Sequence, residues 1–409
     1  MTIPLLPPLK KKGIKVRKAR SVLFFVIFLF LLLVLPIGQR VTYAATPEEE
    51  AAIEELKRNV EELLSSLDTE DLQNYLDSFQ EYGGISVQDK LLQLITGDYS
   101  LDYASLGEAI LNLVWDEAKT VLPAFAVILA VSLLCGILNS VKNGFLQSTM
   151  SDIINFVGYI SVGAVVLACL LNVLTSGFSA VGNMQRQMEI VYPLLLTLMA
   201  ASGGAVSATV YRPAVAFLSS AICELFTSVV MPMSVVVVIL AFVGNLSADV
   251  RTEKLGDLFK SVNKWLIGLT LGVFGVFLTV QGITSAQYDG MSLRAAKYVI
   301  SGSVPIVGGF LSGGVDLILA GSTLIKNALG SFCVFLLFGT VLRTVLLFVV
   351  FQLFLRLSAA ATEPVGGKIS AFLSRLAGDS GFFLAGILCV AFLYFLTLLL
   401  LIFSTGVIV

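Results

Sequence analysis

The sequence predicts an all-α, polytopic membrane protein. The first observation is composition: of 409 residues, 57% are hydrophobic and only 13% are charged. The second is that the apolar residues form several runs of about 20 residues, the length that a helix needs to cross a bilayer. The third is a basic, signal-like start followed by a strongly acidic block. Together they predict about six spanning helices preceded by a small extracytoplasmic helical domain.

Residues 1–44 have the pattern of a secretory signal peptide. They hold eight Lys/Arg and no acid, and an apolar run from Val22 to Leu35 follows the basic stretch. Thr42 and Ala44 then supply small residues at positions −3 and −1 of a cleavage site. An uncleaved anchor remains the alternative, and in either case the positive charge predicts a cytoplasmic N-terminus.

Residues 45–117 form an acidic block, in which eighteen Asp/Glu stand against Lys57, Arg58 and Lys90. Thr46 and Glu49 make a capping box that predicts a helix start. Apolar residues then recur at helical spacing, and a second helix is expected to begin at Asp68 or Thr69. We interpret 45–117 as a water-exposed extracytoplasmic helical domain.

The polytopic membrane domain, 118–409, contains six apolar segments in three pairs. The segments lie near 119–139, 153–174, 214–244, 265–284, 331–355 and 382–405. A polar linker joins the members of each pair, and the second and third linkers both begin with Leu-Ser-Ala, at Leu246 and Leu357. The pattern predicts a threefold repeat near 119–174, 214–284 and 331–405. The segment 214–244 is longer than one straight span and contains Pro232, so it is either a long tilted helix or a hairpin.

The linkers 140–152, 246–264 and 356–380 carry most of the positive charge of the membrane domain. Lysine and arginine are enriched in cytoplasmic loops, so these linkers are expected to face the cytoplasm. Apolar stripes in the second and third linkers predict amphipathic helices at the membrane surface. The members of the charge set are Lys142, Arg251, Lys254, Lys260, Lys264, Arg356, Lys368 and Arg375.

Two glycine-rich segments, near 175–212 and 285–328, separate the pairs and are expected to be broken or re-entrant. Glycine and proline weaken a helix, and irregular backbone at membrane depth requires surrounding protein or water. The candidate core or path residues of the second segment are Pro305, Gly308, Gly309, Gly313, Gly314 and Asp316; those of the first are Pro193, Gly203 and Gly204.

Four charged side chains are predicted at membrane depth: Glu224, Asp316, Lys326 and Arg343. Ionisable residues there are costly and often mark function, although an interhelical ion pair is an equally ordinary role. Arg343 is expected to neutralise Glu224 or Asp316.

No enzyme site is predicted. The chain contains no histidine, which excludes His-based metal sites, catalytic dyads and Ser-His-Asp triads, and it lacks the HExxH, GxxxxGK[ST] and GxSxG motifs. The five cysteines lie in apolar runs without a CxxC pair, so they are interpreted as small buried hydrophobes. We expect no cofactor, no metal and no nucleic-acid partner.

The whole chain, in order, resembles the stage III sporulation protein AE family of endospore-forming bacteria. The signal peptide, TPEEEAAIEELKRNVEEL, YPLLLTLMAASGG and SGSVPIVGGFLSGGVDLILAG carry the resemblance. It implies an integral membrane component of a mother-cell-to-forespore channel, in the mother-cell membrane around the forespore. It also implies as partners the other proteins of the stage III sporulation A operon, including an ATPase and ring-forming members, and a forespore membrane channel protein. A core channel subunit and a non-conducting scaffold both remain open.

Overall fold

The computed structural model of the protein describes residues 58–78, 84, 86–96, 103–145, 148–246, 252–303, 307–364 and 367–404. Within these ranges the regular secondary structure is helical and no strand is present, which confirms the all-α class. All of them belong to one unit, Leu56–Val409. The predicted signal peptide, 1–44, and the capping box at Thr46 lie outside the described residues.

Long helices form most of the described chain. They are α4 (Tyr103–Phe145), α5 (Ser148–Ala201), α6 (205–246), α7 (Glu253–Ser303), α8 (Val307–Thr362), α9 (Gly367–Asp379) and α10 (Gly381–Phe403), preceded by the short helices α1 (58–66), α2 (Glu70–Asp77) and α3 (Val87–Thr96). Short polar helices are only marginally stable in isolation, so tertiary packing must hold α1 to α3 in place.

Six stretches of the described chain are long and apolar enough to cross a membrane, as predicted. They are Gly107–Cys135, Phe156–Ala201, Ala205–Gly244, Glu253–Gln281, Ile318–Thr362 and Ile369–Phe403. The stretches in α5 and α8 have 46 and 45 residues, about twice the length that a bilayer core of about 30 Å requires. The predicted spans 153–174 and 331–355 therefore cover only part of each helix.

The N-terminal helices pack on α5 and α8. The helix α2 begins where predicted, after Thr69 as N-cap, and buries Leu72, Tyr75 and Leu76. The Tyr75 hydroxyl donates to the carbonyl of Asn183 at 3.4 Å. On the other side, a Cβ at Gly321 of α8 would meet Leu63 Cδ1 at 3.0 Å, so the small residue lets α1 approach closely.

The helix α6 is one continuous helical run, so the hairpin alternative for 214–244 is wrong. Two π-helical turns, Leu218–Ile222 and Phe226–Val230, interrupt the α-helical pattern. Proline supplies no N–H, and a π-turn changes the hydrogen-bonding register locally. Pro232 thus follows a register change in α6 and does not end the helix.

The predicted linker helices differ in their surroundings. The second linker, 246–264, runs into its span without a break, because α7 begins at Glu253 and continues to Ser303. Its apolar residues remain exposed, Leu258 by 58%. The stripe of α9 instead lies inside the protein, with Phe372 only 1% exposed, because α9 packs on α8 and α6. The expectation of a stripe facing lipid is therefore wrong for α9.

Each predicted pair of spans is in contact: α4 with α5, α6 with α7, and α8 with α10. A small residue supports the third pair, since a Cβ at Gly330 of α8 would clash with Ile402 of α10. The threefold repeat and the domain limits stay predictions.

Both tryptophans of the chain face outward. Trp115 and Trp265 are each 64% exposed. Trp115 precedes the first predicted span and Trp265 begins the fourth, so each lies near a predicted membrane boundary. Tryptophan is enriched at the membrane–water interface, which supports these boundaries.

Candidate functional site

The glycine-rich segments differ from expectation in where the helix breaks. In the first segment, α5 passes through Pro193 and ends at Ala201. Gly203 then takes φ +91°, a left-handed conformation that favours glycine, and Gly204 is the N-cap of α6. The predicted break is present at the glycine pair.

The second glycine-rich segment has its boundary at proline. Here α7 ends at Ser303 and α8 begins at Val307, while Pro305 lies outside the described residues. Both glycine pairs, Gly308–Gly309 and Gly313–Gly314, belong to α8, so they do not themselves break the helix. Asp316 is in the same helix, and its side chain lies outside the described residues.

Glu224 lies on the exposed face of α6, between the two π-turns. Its carboxylate accepts a hydrogen bond from the hydroxyl of Ser228, one turn later. A π-turn often marks a functional site, but here the carboxylate is already bonded within its own helix. Glu224 is therefore not part of an ion pair among the described residues.

Arg343 pairs with a residue that the sequence did not single out. Its Nε lies 3.3 Å from Oε1 of Glu117 in α4, and the Glu117 side chain is only 13% exposed. Arg343 and Glu224, both described, do not form an ion pair with each other in this structure, and the alternative pairing with Asp316 stays a prediction. The ion pair instead joins α8 to α4.

A cluster of charges joins the second and third linkers. Lys260 Nζ lies 2.8 Å from Oδ1 of Asp379, and both side chains are mostly buried, at 14% and 9% exposed. Arg375 Nη1 lies 2.8 Å from Oε1 of Glu253, at the more open edge. The charge pattern of the linkers suggested a membrane side, but it did not indicate this pairing between α7 and the end of α9.

Next to this cluster, Asn263 fastens α7 to the second π-turn of α6. Its Nδ2 donates to the Val230 carbonyl at 3.2 Å and to the Ser234 hydroxyl at 2.9 Å. Asn263 is fully buried, so these bonds satisfy groups that water cannot reach. Sequence reasoning missed Asn263, although Pro232 indicated altered backbone bonding nearby.

Polar side chains are buried along α8, and one of them bonds to α5. Lys326 of α8 has 0% exposure inside an apolar helix. Thr340 lies farther along α8, two turns beyond Cys333. Its hydroxyl oxygen accepts a hydrogen bond from Gln187 Nε2 at 3.0 Å. Gln187 itself is 2% exposed. Of the four charges predicted at membrane depth, Lys326 is thus the one shown to be fully buried.

No described group of three or more Cys, Asp or Glu side chains is arranged to hold a metal ion. The cysteines are free where described, and Cys135, Cys223, Cys333 and Cys389 are buried, in line with their interpretation as small hydrophobes. Cys169 is only partly buried.

The family model of stage III sporulation protein AE matches residues 85–405, well over half of the chain. The chain belongs to this family. Among curated proteins it is similar to stage III sporulation protein AE of Bacillus subtilis (strain 168), with 26% identity over 380 residues, covering 91% of this chain and 95% of that protein. No solved structure matches the chain. The family match begins after α2, so the first acidic helices lie outside it.

Proposed function

We propose that this protein is an integral membrane core subunit of the mother-cell-to-forespore channel or transport complex required for sporulation. The observation that carries the proposal is Lys326, a lysine with 0% exposure within an apolar helix of a stage III sporulation family member. Ionisable groups inside a membrane bundle are costly and mark ion or solute pathways.

The same proposal assigns the protein to the mother-cell membrane around the forespore. Its partners would be the other proteins of the stage III sporulation A operon, including the ATPase and ring-forming members, and a forespore membrane channel protein. The subunit would bind no nucleic acid, need no cofactor and act without enzymatic chemistry. The basic linkers on one side and the acidic helices on the other support a subunit with different partners on its two faces.

A non-conducting scaffold is the second candidate, and one observation favours it. In α7, a Cβ on Gly268, Gly272 or Gly275 would meet nothing within 4 Å. Small residues three or four positions apart along an apolar helix allow another helix to pack closely. The part of the chain that the structure describes does not cover this face, so it is available to a helix of another subunit.

Flux through proteoliposomes separates the two candidates. Purified protein, alone and with its co-purified partners, is reconstituted with a small polar dye inside, and dye release is followed. We expect release above that of protein-free vesicles, and at least a tenfold loss in Lys326→Met, which keeps the side-chain volume and removes the charge. Lys254→Met, on the exposed start of α7, is the control and should release dye like the unchanged protein. If no preparation releases dye faster than protein-free vesicles do, the result favours the scaffold.

The proposed topology places the acidic helices outside the cytoplasm. Ser65 lies on the exposed face of α1, so a cysteine there should react with an impermeant maleimide in intact cells or protoplasts. Reporter fusions at Lys254 and Lys368 should both report the cytoplasm. Labelling of the Ser65→Cys variant only after lysis, or fusions reporting opposite sides, would contradict this topology and the signal peptide on which it depends.

A further inference from the structure

Polar side chains form a line along the interface of α5, α8 and α10. On α8, Lys326, Cys333 and Thr340 recur every seven residues, about two helical turns, so they share one face over about 21 Å. The members of this polar line are Lys326, Cys333, Thr340, Gln187, Tyr192 and Tyr394.

Two tyrosines meet in the middle of the polar line. The rings of Tyr192 in α5 and Tyr394 in α10 are 5.6 Å apart and almost perpendicular. Cys333 lies close enough to interact electrostatically with both phenols. The tyrosines are 2% and 0% exposed, so the protein encloses them completely.

Three oxygens on this line are buried without a hydrogen-bond partner among the described residues: Gln187 Oε1, Tyr192 Oη and Tyr394 Oη. The Thr397 hydroxyl donates to the Leu393 carbonyl and lies near the Tyr192 phenol, so Thr397 belongs to the same polar group. A dry, unpaired buried polar group is destabilising. Buried groups of this kind are usually satisfied by ordered water, so each of the three oxygens is a candidate water-binding position.

The same three helices contribute an aromatic cluster beyond one end of the line. Phe383 of α10 packs on Phe178 of α5 and Phe348 of α8, with ring centroids 5.5 and 5.4 Å apart. Phe178 and Phe348 lie two to three turns from Gln187 and Thr340, in the direction of the basic linkers. Hydrophobic constrictions close membrane pores by excluding water.

We propose that the interface of α5, α8 and α10 is a passage for water and small polar solutes, closed toward the basic linkers by Phe178, Phe348 and Phe383. The passage rests on the proposed transport function and gives it a route. Polar atoms line the open part, and Lys326 lies near its other end. The three phenylalanines supply the apolar closure that keeps the route shut in this structure.

Cysteine accessibility tests the passage without measuring transport. Variants that keep either Cys333 or Cys389, with the other four cysteines replaced by alanine, are exposed in membrane vesicles to aminoethyl methanethiosulfonate and weighed by mass spectrometry. Cys389 is the matched control, since it is 5% exposed and lies on a face of α10 away from Tyr394. We expect Cys333 to react at least tenfold faster. Equal, slow rates would overturn the passage while leaving the transport function to the dye-release test.

A second pair of variants tests hydration and closure separately. If Tyr394 Oη bonds to water, Tyr394→Phe should lower the Tm of the purified protein; a rise in Tm would mean a dry, unpaired hydroxyl and would overturn the passage. The closure is tested with the impermeant trimethylammonium analogue of the reagent, added on the side of the basic linkers. We expect this reagent to modify Cys333 in the Phe348→Ala variant, but not in the protein that keeps Phe348. No gain of reactivity in a folded variant would overturn the aromatic closure.

Discussion

Replacing Lys260 by methionine is expected to lower the free energy of unfolding by about 3–5 kcal/mol. The substitution removes the ammonium that lies 2.8 Å from Asp379 Oδ1 and leaves that carboxylate mostly buried. Arg375, whose Nε is 4.0 Å from Asp379 Oδ2, offsets the negative charge of that carboxylate only in part. Asp379 also ends α9, where a negative charge interacts unfavourably with the helix dipole, and the Lys260 ammonium offsets that interaction.

Unfolding of the detergent-solubilised variants measures this effect. The double variant Lys260→Met/Asp379→Leu should recover most of the loss, because an apolar pair of similar volume replaces a buried ion pair at little cost. Lys119→Met is the control, since its partner Asp116 is 71% exposed and such pairs contribute about 0–1 kcal/mol. A double variant as unstable as Lys260→Met would contradict the assignment of the loss to an unpaired carboxylate.

Gly330→Leu is expected to cost about 1–3 kcal/mol by overpacking the contact of α8 with α10. Even a Cβ at Gly330 would overlap Ile402, whose Cδ1 would lie 2.6 Å away. Isoleucine is stiff at χ1, so it cannot easily rotate out of the way. The helix propensity gained on replacing glycine, about 1 kcal/mol, does not offset this overlap.

Gly272→Leu is the matched control for that experiment. Gly272 is also in a spanning helix, but a Cβ there meets nothing within 4 Å, so the purified protein should be unchanged or slightly more stable. Thermal unfolding of both variants in the same detergent decides the comparison. Equal losses would show that leucine is costly in these helices irrespective of packing. A sporulation defect in a stable Gly272→Leu protein would indicate a partner helix on α7.

Hydropathy predicted the class of fold and the number of spans because both depend on how many consecutive residues are apolar. It could not place the ends of α5 and α8, since an apolar helix that leaves the bilayer and enters protein surroundings keeps the same composition. The start of α2 at Glu70, directly after Thr69, was predictable to within two residues, because the helical spacing of apolar residues is a local signal.

The pairing of charges was not predictable from the sequence. Arg343 and Glu117 are 226 positions apart, and only the crossing of α4 and α8 brings them together. Likewise, Gln187 and Thr340 meet because of the relative height of two long helices, which no local pattern encodes. The glycine pairs of α8 were predicted as breaks on propensity alone, but tertiary packing can keep such residues helical.

The length of α8 also has a mechanical consequence. Near one end, Gly321 touches α1; near the other, the Ala359 carbonyl accepts a hydrogen bond from Ser370 of α9 at 2.7 Å. One uninterrupted helix joins these points across about 57 Å. If α8 tilts as a rigid body by about 5° about its end at the basic linkers, its other end and the acidic helices packed on it move by about 5 Å. A force applied by a partner on one face would reach the opposite face without passing through any loop.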